Sequence, residues 1–300
     1  SDSKNHHPGI DNSGPFLSMN PFSSRCCQHN HGFGWPYYTE NLIYATPDNG
    51  LATILYNACK AKVKVGNGTE VTIQEQTNYP FEETIRFTLT TPENVTFPLY
   101  LRIPSWCKNA SITVNGEKLN ADLIAGKYAR ITREWSDADE IVLTVPMEIN
   151  YRQWQVNKNS VSVDYGPLSL SLKIDEDYQQ KDSRETAIGD SKWQEGADAS
   201  AWPTYEIYPA SSWNYALQTS APITVERKEW PFNNNPFTLT TVPLEFKAKG
   251  RLIPEWKVDE YGLCGVLPYE DARKAEAVDE ITLIPMGAAR LRIASFPTTE

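Results

Sequence analysis

The chain has 300 residues, 40% of them hydrophobic and 22% charged, which is ordinary globular usage and excludes wholesale disorder. Its formal net charge of −10 argues against nucleic acid or an anionic membrane surface as the main partner, because both need a basic face. No apolar run approaches the ~20 residues of a membrane-spanning helix, so no membrane partner is expected.

Composition leans toward strands and turns, with 21 Pro, 9 Trp and 15 Tyr beside frequent Thr, Val and Ile. A mainly β protein of two domains is expected, since a domain takes about 100–200 residues. The first residues, Ser1 to Pro8, have neither a basic region nor an apolar core and so are no signal peptide. A leader removed in processing is compatible with this, and a periplasmic or extracellular location is expected over a cytoplasmic one. Five cysteines, Cys26, Cys27, Cys59, Cys107 and Cys264, are too few and too scattered for a disulfide framework. Adjacent Cys26 and Cys27 would close a strained small ring if oxidised together, so thiols or metal-bound sulfurs are expected.

Residues 1–35 are rich in Asn, Ser, Gly, Pro and His without a period and read as loop. Residues 35–44 space their apolar side chains as a helix does, with Pro36 tolerated in a first turn. The run Thr46-Pro47-Asp48-Asn49-Gly50 is a turn. Strands are then expected at 51–58, 61–65, 71–76, 84–90, 97–103, 111–114, 128–132 and 140–145, with Gly66-Asn67-Gly68 and Asn115-Gly116 as turns. They make one antiparallel sandwich over 51–150. A second sandwich-like module over 151–300 takes strands at 160–163, 168–174, 238–243, 281–284 and 289–293, with a loop-rich excursion over 175–235. Residues 1–50 are too little to bury a core alone.

Chemistry concentrates in Arg25-Cys26-Cys27-Gln28-His29-Asn30-His31. Thiolate and imidazole are zinc donors, yet four of them this close cannot comfortably complete one tetrahedron, so further ligands would come from elsewhere. A thiolate beside a metal or Arg25 is also a nucleophile. The bland alternative is that both cysteines are small buried hydrophobes. Elsewhere, Glu75, Glu82 and Glu83 are expected to be solvated surface, and Asp175-Glu176-Asp177 a solvated turn. Trp35, Tyr37 and Tyr38 are expected to pack, in a core or between domains, rather than stack on a sugar, and Trp193, Trp202, Trp213 and Trp230 to anchor loops rather than form a carbohydrate platform.

Arg25-Cys26-Cys27 followed by Asn30, Glu75-Gln76-Thr77-Asn78-Tyr79-Pro80, Leu101-Arg102-Ile103-Pro104-Ser105-Trp106-Cys107, Thr132-Arg133-Glu134-Trp135, Tyr165-Gly166-Pro167-Leu168 and Leu283-Ile284-Pro285-Met286-Gly287 occur in this order along the chain. Together they resemble the family of bacterial β-L-arabinofuranosidases, from Arg25 nearly to the C-terminus. The resemblance implies an (α/α)6 toroid carrying the active site and followed by β-sandwich modules, with residues 1–50 as the last piece of the toroid. It makes Cys26 the catalytic nucleophile, places Cys26 and Cys27 at a zinc ion, and sets Arg25, His29, Asn30 and His31 beside the site. Substrate would be an L-arabinofuranose-containing glycan. A further zinc-binding Cys and Glu and a general acid/base Glu would lie upstream, in the toroid or a partner chain, so the 300 residues are expected to be inactive alone. The family's usual Pro before the Asn is His29 here, and with His31 it would add a ligand, change the metal or mark a branch with another substrate. The rival expectation is a non-catalytic carbohydrate-binding or structural β-sandwich module.

Overall fold

The computed structural model describes residues 26–182, 184, 195–196, 198–201, 203–258, 264–268 and 277–299, with the side chains of residues 26–29, 31, 181, 204 and 206 outside the description. Strands dominate, as the composition leads one to expect. The chain divides into two units, Asn30–Glu148 and a second made of Ser1–His29 with Ile149–Glu300.

One helix, α1 (Cys26–Glu40), opens the described chain. The sequence places a helix at 35–44, with Pro36 in its first turn; instead Pro36 sits well inside α1 and the helix ends at Glu40. Thr39 Oγ1 donates to Trp35 O at 3.1 Å and Asn41 Nδ2 to Tyr37 O at 2.5 Å, closing the last turn. Ile43 and Tyr44, read as helical, belong to a strand.

In the Asn30–Glu148 unit the strands are β1 (Ile43–Ala45), β2 (Leu51–Thr53), β3 (Cys59–Val65), β4 (Thr69–Gln76), β5 (Thr84–Thr90), β6 (Val95–Arg102), β7 (Ser111–Val114), β8 (Glu117–Lys118), β9 (Tyr128–Trp135) and β10 (Glu140–Thr144). They form a sheet in the order β1-β2-β6-β9 and a second in the order β3-β4-β5-β10-β7-β8. The reason is legible in single strands. In β5, Ile85, Phe87 and Leu89 alternate with Thr and Arg, and all three are buried. They join Leu99, Leu101, Ile131 and Trp135 in one core. The strand expected over 51–58 stops at Thr53. Gly50 precedes it because a Cβ there would lie 2.2 Å from Pro98 O. The turn of residues 46–50 is tied by Thr46 N to Gly50 O at 3.0 Å and carries Asp48, which accepts from Tyr100 Oη at 2.6 Å and Arg130 Nη2 at 3.3 Å.

Trp135 is buried, and its Nε1 donates to Phe97 O at 2.9 Å. Trp135→Phe keeps most of the apolar burial but leaves that carbonyl unpaired and opens a small void. A loss of about 2 kcal/mol is expected from urea unfolding curves read through amide exchange of β6 and β9.

In the second unit the strands are β11 (Ile149–Trp154), β12 (Ser160–Tyr165), β13 (Leu168–Leu172), β14 (Glu176–Lys181), β15 (Thr204–Pro209), β16 (Tyr215–Gln218), β17 (Thr224–Arg227), β18 (Leu244–Leu252), β19 (Val278–Pro285) and β20 (Thr298–Thr299). Eight of them make one sheet, in the path β11-β12-β13-β19-β18-β16-β20 with β17 on β18, and β14 and β15 make a separate ribbon. The C-terminal segment bonds to both sides of that path. Leu172 N donates to Ile293 O and Val161 N to Phe296 O, each at 2.8 Å, while Leu217 N donates to Pro297 O at 2.8 Å. The sheet thus curls over a core that holds Val163, Leu170, Phe246, Leu283 and Phe296.

Three strand assignments shift. The excursion over 175–235 carries β14 to β17 rather than irregular loop. Residues 238–243 are not a strand: Thr238 and Thr241 spend their hydroxyls on each other at 2.6 Å, forming a turn, and β18 starts just beyond at Leu244. Residues 289–293 bond through Arg292 Nε to Ala289 O and Ile293 N to Ser171 Oγ instead of through a ladder.

Candidate functional site

Of the residues singled out by sequence, Arg25 lies outside the described residues. Cys26, Cys27, His29, Asn30 and His31 all fall in α1, which puts residues 26 and 30, and 27 and 31, one helical turn apart along the backbone. Among them only the Asn30 side chain is described, and it is exposed. Further along α1, Phe33, Trp35 and Tyr37 are 65%, 56% and 67% exposed, so Trp35 and Tyr37 do not pack in a core of the described residues. Trp35 and Tyr38 meet edge to face at 6.0 Å.

Cys59 and Cys107 are not activated. Cys59 faces Glu75 across the β3–β4 pair, and burial followed by the nearby Glu75 charge pushes its thiol up to about 11. Burial also raises Cys107. Among the described residues no three His, Cys, Asp or Glu side chains converge to hold a metal ion.

Two carboxylates overturn their expected solvation. Glu75, on β4, is 1% exposed; its Oε1 has no hydrogen-bond partner among the described residues, and its Oε2 is 4.0 Å from Cys59 Sγ. Burial pushes its carboxyl up to about 8, against a partial pull downward from the Asn57 backbone. Tyr56, Tyr79 and Phe87 form an aromatic cluster in the same unit, with Tyr56 Oη donating to Arg102 O at 2.5 Å. A group so enclosed holds a proton but meets no substrate. The signal was in the sequence: Val71, Ile73 and Glu75 share one strand face by the period of two, and the first two are apolar.

The second is Glu176, expected in a solvated turn. It lies on β14, half-buried, and accepts from Arg290 N at 2.9 Å and Tyr178 Oη at 2.6 Å. It lines a cleft of about 590 Å³ with Lys173, Asp175, Tyr178, Lys228, Thr238, Thr240 and Arg290. Glu245, buried on β18, takes Lys173 Nζ and Lys228 Nζ at 2.7 Å each. Burial alone would raise the Glu245 carboxyl, but the hydrogen bonds from the two lysines outweigh it and hold it at about 2. No sequence spacing could show this cleft, because its residues come from four separate stretches of chain. Trp213 packs edge to face on Trp256 at 5.2 Å, and Trp230 Nε1 donates to Asn234 Oδ1 at 2.7 Å, so both secure loops as expected; Trp193 and Trp202 lie outside the described residues.

Residues 50–147, which hold nearly all of the two-sheet unit, match the family model described as β-L-arabinofuranosidase, GH127 middle domain. Over these residues, about a third of the chain, the sequence is similar to that domain. Solved structures share the fold of the chain more widely. A GH127 β-L-arabinofuranosidase from Geobacillus stearothermophilus T6 is 21% identical with a TM-score of 0.61, covering 92% of this chain and 38% of its own. A glycoside hydrolase is 20% identical with a TM-score of 0.63, covering 93% of this chain and 40% of its own. A GH127 β-arabinofuranosidase is 18% identical with a TM-score of 0.61, covering 92% of this chain and 39% of its own. The chain spans about two fifths of the length of these three structures. No curated protein matches it. The match takes in the residues around Glu75, and neither Cys26 nor the Glu176 cleft falls within it.

Proposed function

We propose that this chain is the C-terminal portion of a retaining glycoside hydrolase acting on L-arabinofuranosides, with the Cys26 sulfur as nucleophile. What supports the reading is one conjunction: a GH127 middle domain over residues 50–147, preceded in the chain by the adjacent thiols Cys26 and Cys27 on α1. Adjacent thiols with His29 and His31 are donor chemistry that suits zinc. Cys27, with Cys26 as thiolate, would hold the ion, and a bound zinc would keep the sulfurs deprotonated at neutral pH.

The chemistry at Cys26 is then a double displacement. Its Sγ bonds to the anomeric carbon as the exocyclic carbon–oxygen bond breaks, and the departing oxygen takes a proton from an acid supplied by the upstream region. Water next attacks the same carbon, giving its proton to the now deprotonated acid of the first step, the sulfur leaves as thiolate, and the configuration is retained. Arg25, His29, Asn30 and His31 would flank the sugar. The exposed rings of Phe33, Trp35 and Tyr37 suit a helix face covered by that upstream region or a partner chain.

On an aryl L-arabinofuranoside, the 300-residue chain alone is expected to give no turnover above the uncatalysed rate. A form extended through the acid-bearing region is expected to hydrolyse it with retention. Robust hydrolysis by the 300-residue chain would contradict the reading.

A further inference from the structure

The cleft around Glu176 has a chemistry of its own. Lys173, Lys228 and Arg290 line it as cations, and Asp175 and Glu176 as carboxylates. Glu245 already takes both lysines at 2.7 Å, so their charge is spent within the protein, and cations and carboxylates balance. An anion would find no surplus of positive charge here. What lines the cleft is a set of interleaved donors and acceptors, beside Thr238 and Thr240. That pattern suits groups that both donate and accept, as vicinal hydroxyls do.

An aromatic surface completes it. Tyr178 is 47% exposed, yet its Oη donates to Glu176 Oε2 at 2.6 Å and its ring meets Tyr205 edge to face at 5.9 Å. Held at two points, the ring offers a fixed apolar face with little ordering cost on binding. Burial keeps its phenol protonated, pushed up to about 12, so the hydroxyl stays a donor. Glu176 is fixed in turn by Arg290 N at 2.9 Å. A volume of about 590 Å³ is within the range of small-molecule sites, about 300–1,000 Å³, and admits a di- or trisaccharide.

We propose that this cleft binds a neutral oligosaccharide, one ring stacking on Tyr178 and its hydroxyls bridging Glu176, Arg290 and the lysines. The site is separate in the chain from Cys26, and its occupancy requires no hydrolysis, so it stands or falls independently of the nucleophile reading. The test is calorimetric titration of the 300-residue chain with arabinotriose, xylotriose, cellotriose and, as the anionic probe, inorganic phosphate.

At least one neutral trisaccharide is expected to saturate at micromolar to low millimolar concentration. Tyr178→Ala is expected to weaken it about tenfold or more, through loss of the stacking face. Tyr178→Phe, which retains the ring and the strand contacts of β14 with β15, is expected to weaken it less, and Glu176→Gln to weaken it by about fivefold through loss of a charged acceptor. No saturation by any of the three sugars at about 10 mM would overturn the proposal. So would sugar binding indifferent to both Tyr178→Ala and Glu176→Gln, or phosphate binding tighter than every sugar.

Discussion

Taking the Asn30–Glu148 unit from about pH 5 to about pH 9 is expected to cost it on the order of 4 kcal/mol, and Glu75→Gln to remove most of that dependence. Glu75 is enclosed between β3 and β5, pairing with Cys59 on one side and Phe87 on the other. Its folded carboxyl titrates at about 8 against an ordinary value of 4.5. Folding therefore favours the protonated form. The stabilisation is fully present below 4.5, falls as the pH climbs from 4.5 to 8, and above 8 the unit carries an ionised carboxylate with little to solvate it. Gln has the same shape and no charge to lose, so the variant's stability stays level over that range apart from the background of surface groups. Amide exchange of β3, β4 and β5 in urea reads this unit directly. A wild-type unit equally stable at both pH values, or a Glu75→Gln variant with an unchanged pH slope, would show that Glu75 is ionised at no such cost.

What the sequence made legible follows the period of two. Thr84 to Thr90 alternates cleanly, and β5 buries its three apolar residues. Asn115 and Gly116 adopt φ of 52° and 81°, both positive, and turn β7 into β8 as an Asn-Gly pair is suited to do. The alternation of β4 puts Glu75 on the inward face with Val71 and Ile73, and there it prevails over the general preference of carboxylates for solvent. Thr238 to Pro243 misleads for a different reason. β-Branched residues suit strands by how they pack, yet a hydroxyl can equally bond its neighbours in a turn, and only the register of β18 against β19 decides where the strand begins. In α1, Gly32, Gly34 and Pro36 are poor helix formers, so the residues before Trp35 carry too little propensity to be read as helix. The Glu176 cleft was beyond any local reading, because its carboxylate is fixed by the backbone of Arg290, 114 residues away.

The larger effect is chemical. On the proposed function, in a longer form of the protein that carries a general acid, Cys26→Ser is expected to lower kcat on an aryl L-arabinofuranoside by about a thousandfold or more. A hydroxyl ionises far less readily than a thiol and attacks far more slowly. Cys27→Ser is expected to reduce zinc content and activity together, since its proposed role is to hold the ion rather than to attack. KM should change little for Cys26→Ser, because the sulfur acts on the barrier and not on the recognition of the sugar. Amide exchange of β3 to β5 should be unchanged in both variants, which separates chemistry from folding. Retained turnover in Cys26→Ser, with normal KM, would assign the nucleophile elsewhere.

Peptide mapping by mass spectrometry, after treating the longer form of the protein with a bromoacetamide derivative of L-arabinofuranose, bears most directly on the proposal that the Cys26 sulfur faces a sugar. The predicted result is a single adduct on Cys26, blocked by free L-arabinose and absent from Cys59, whose thiol is held up at about 11. An adduct found on Cys59, Cys107 or Cys264 at the same rate, or no protection by the sugar, would contradict it.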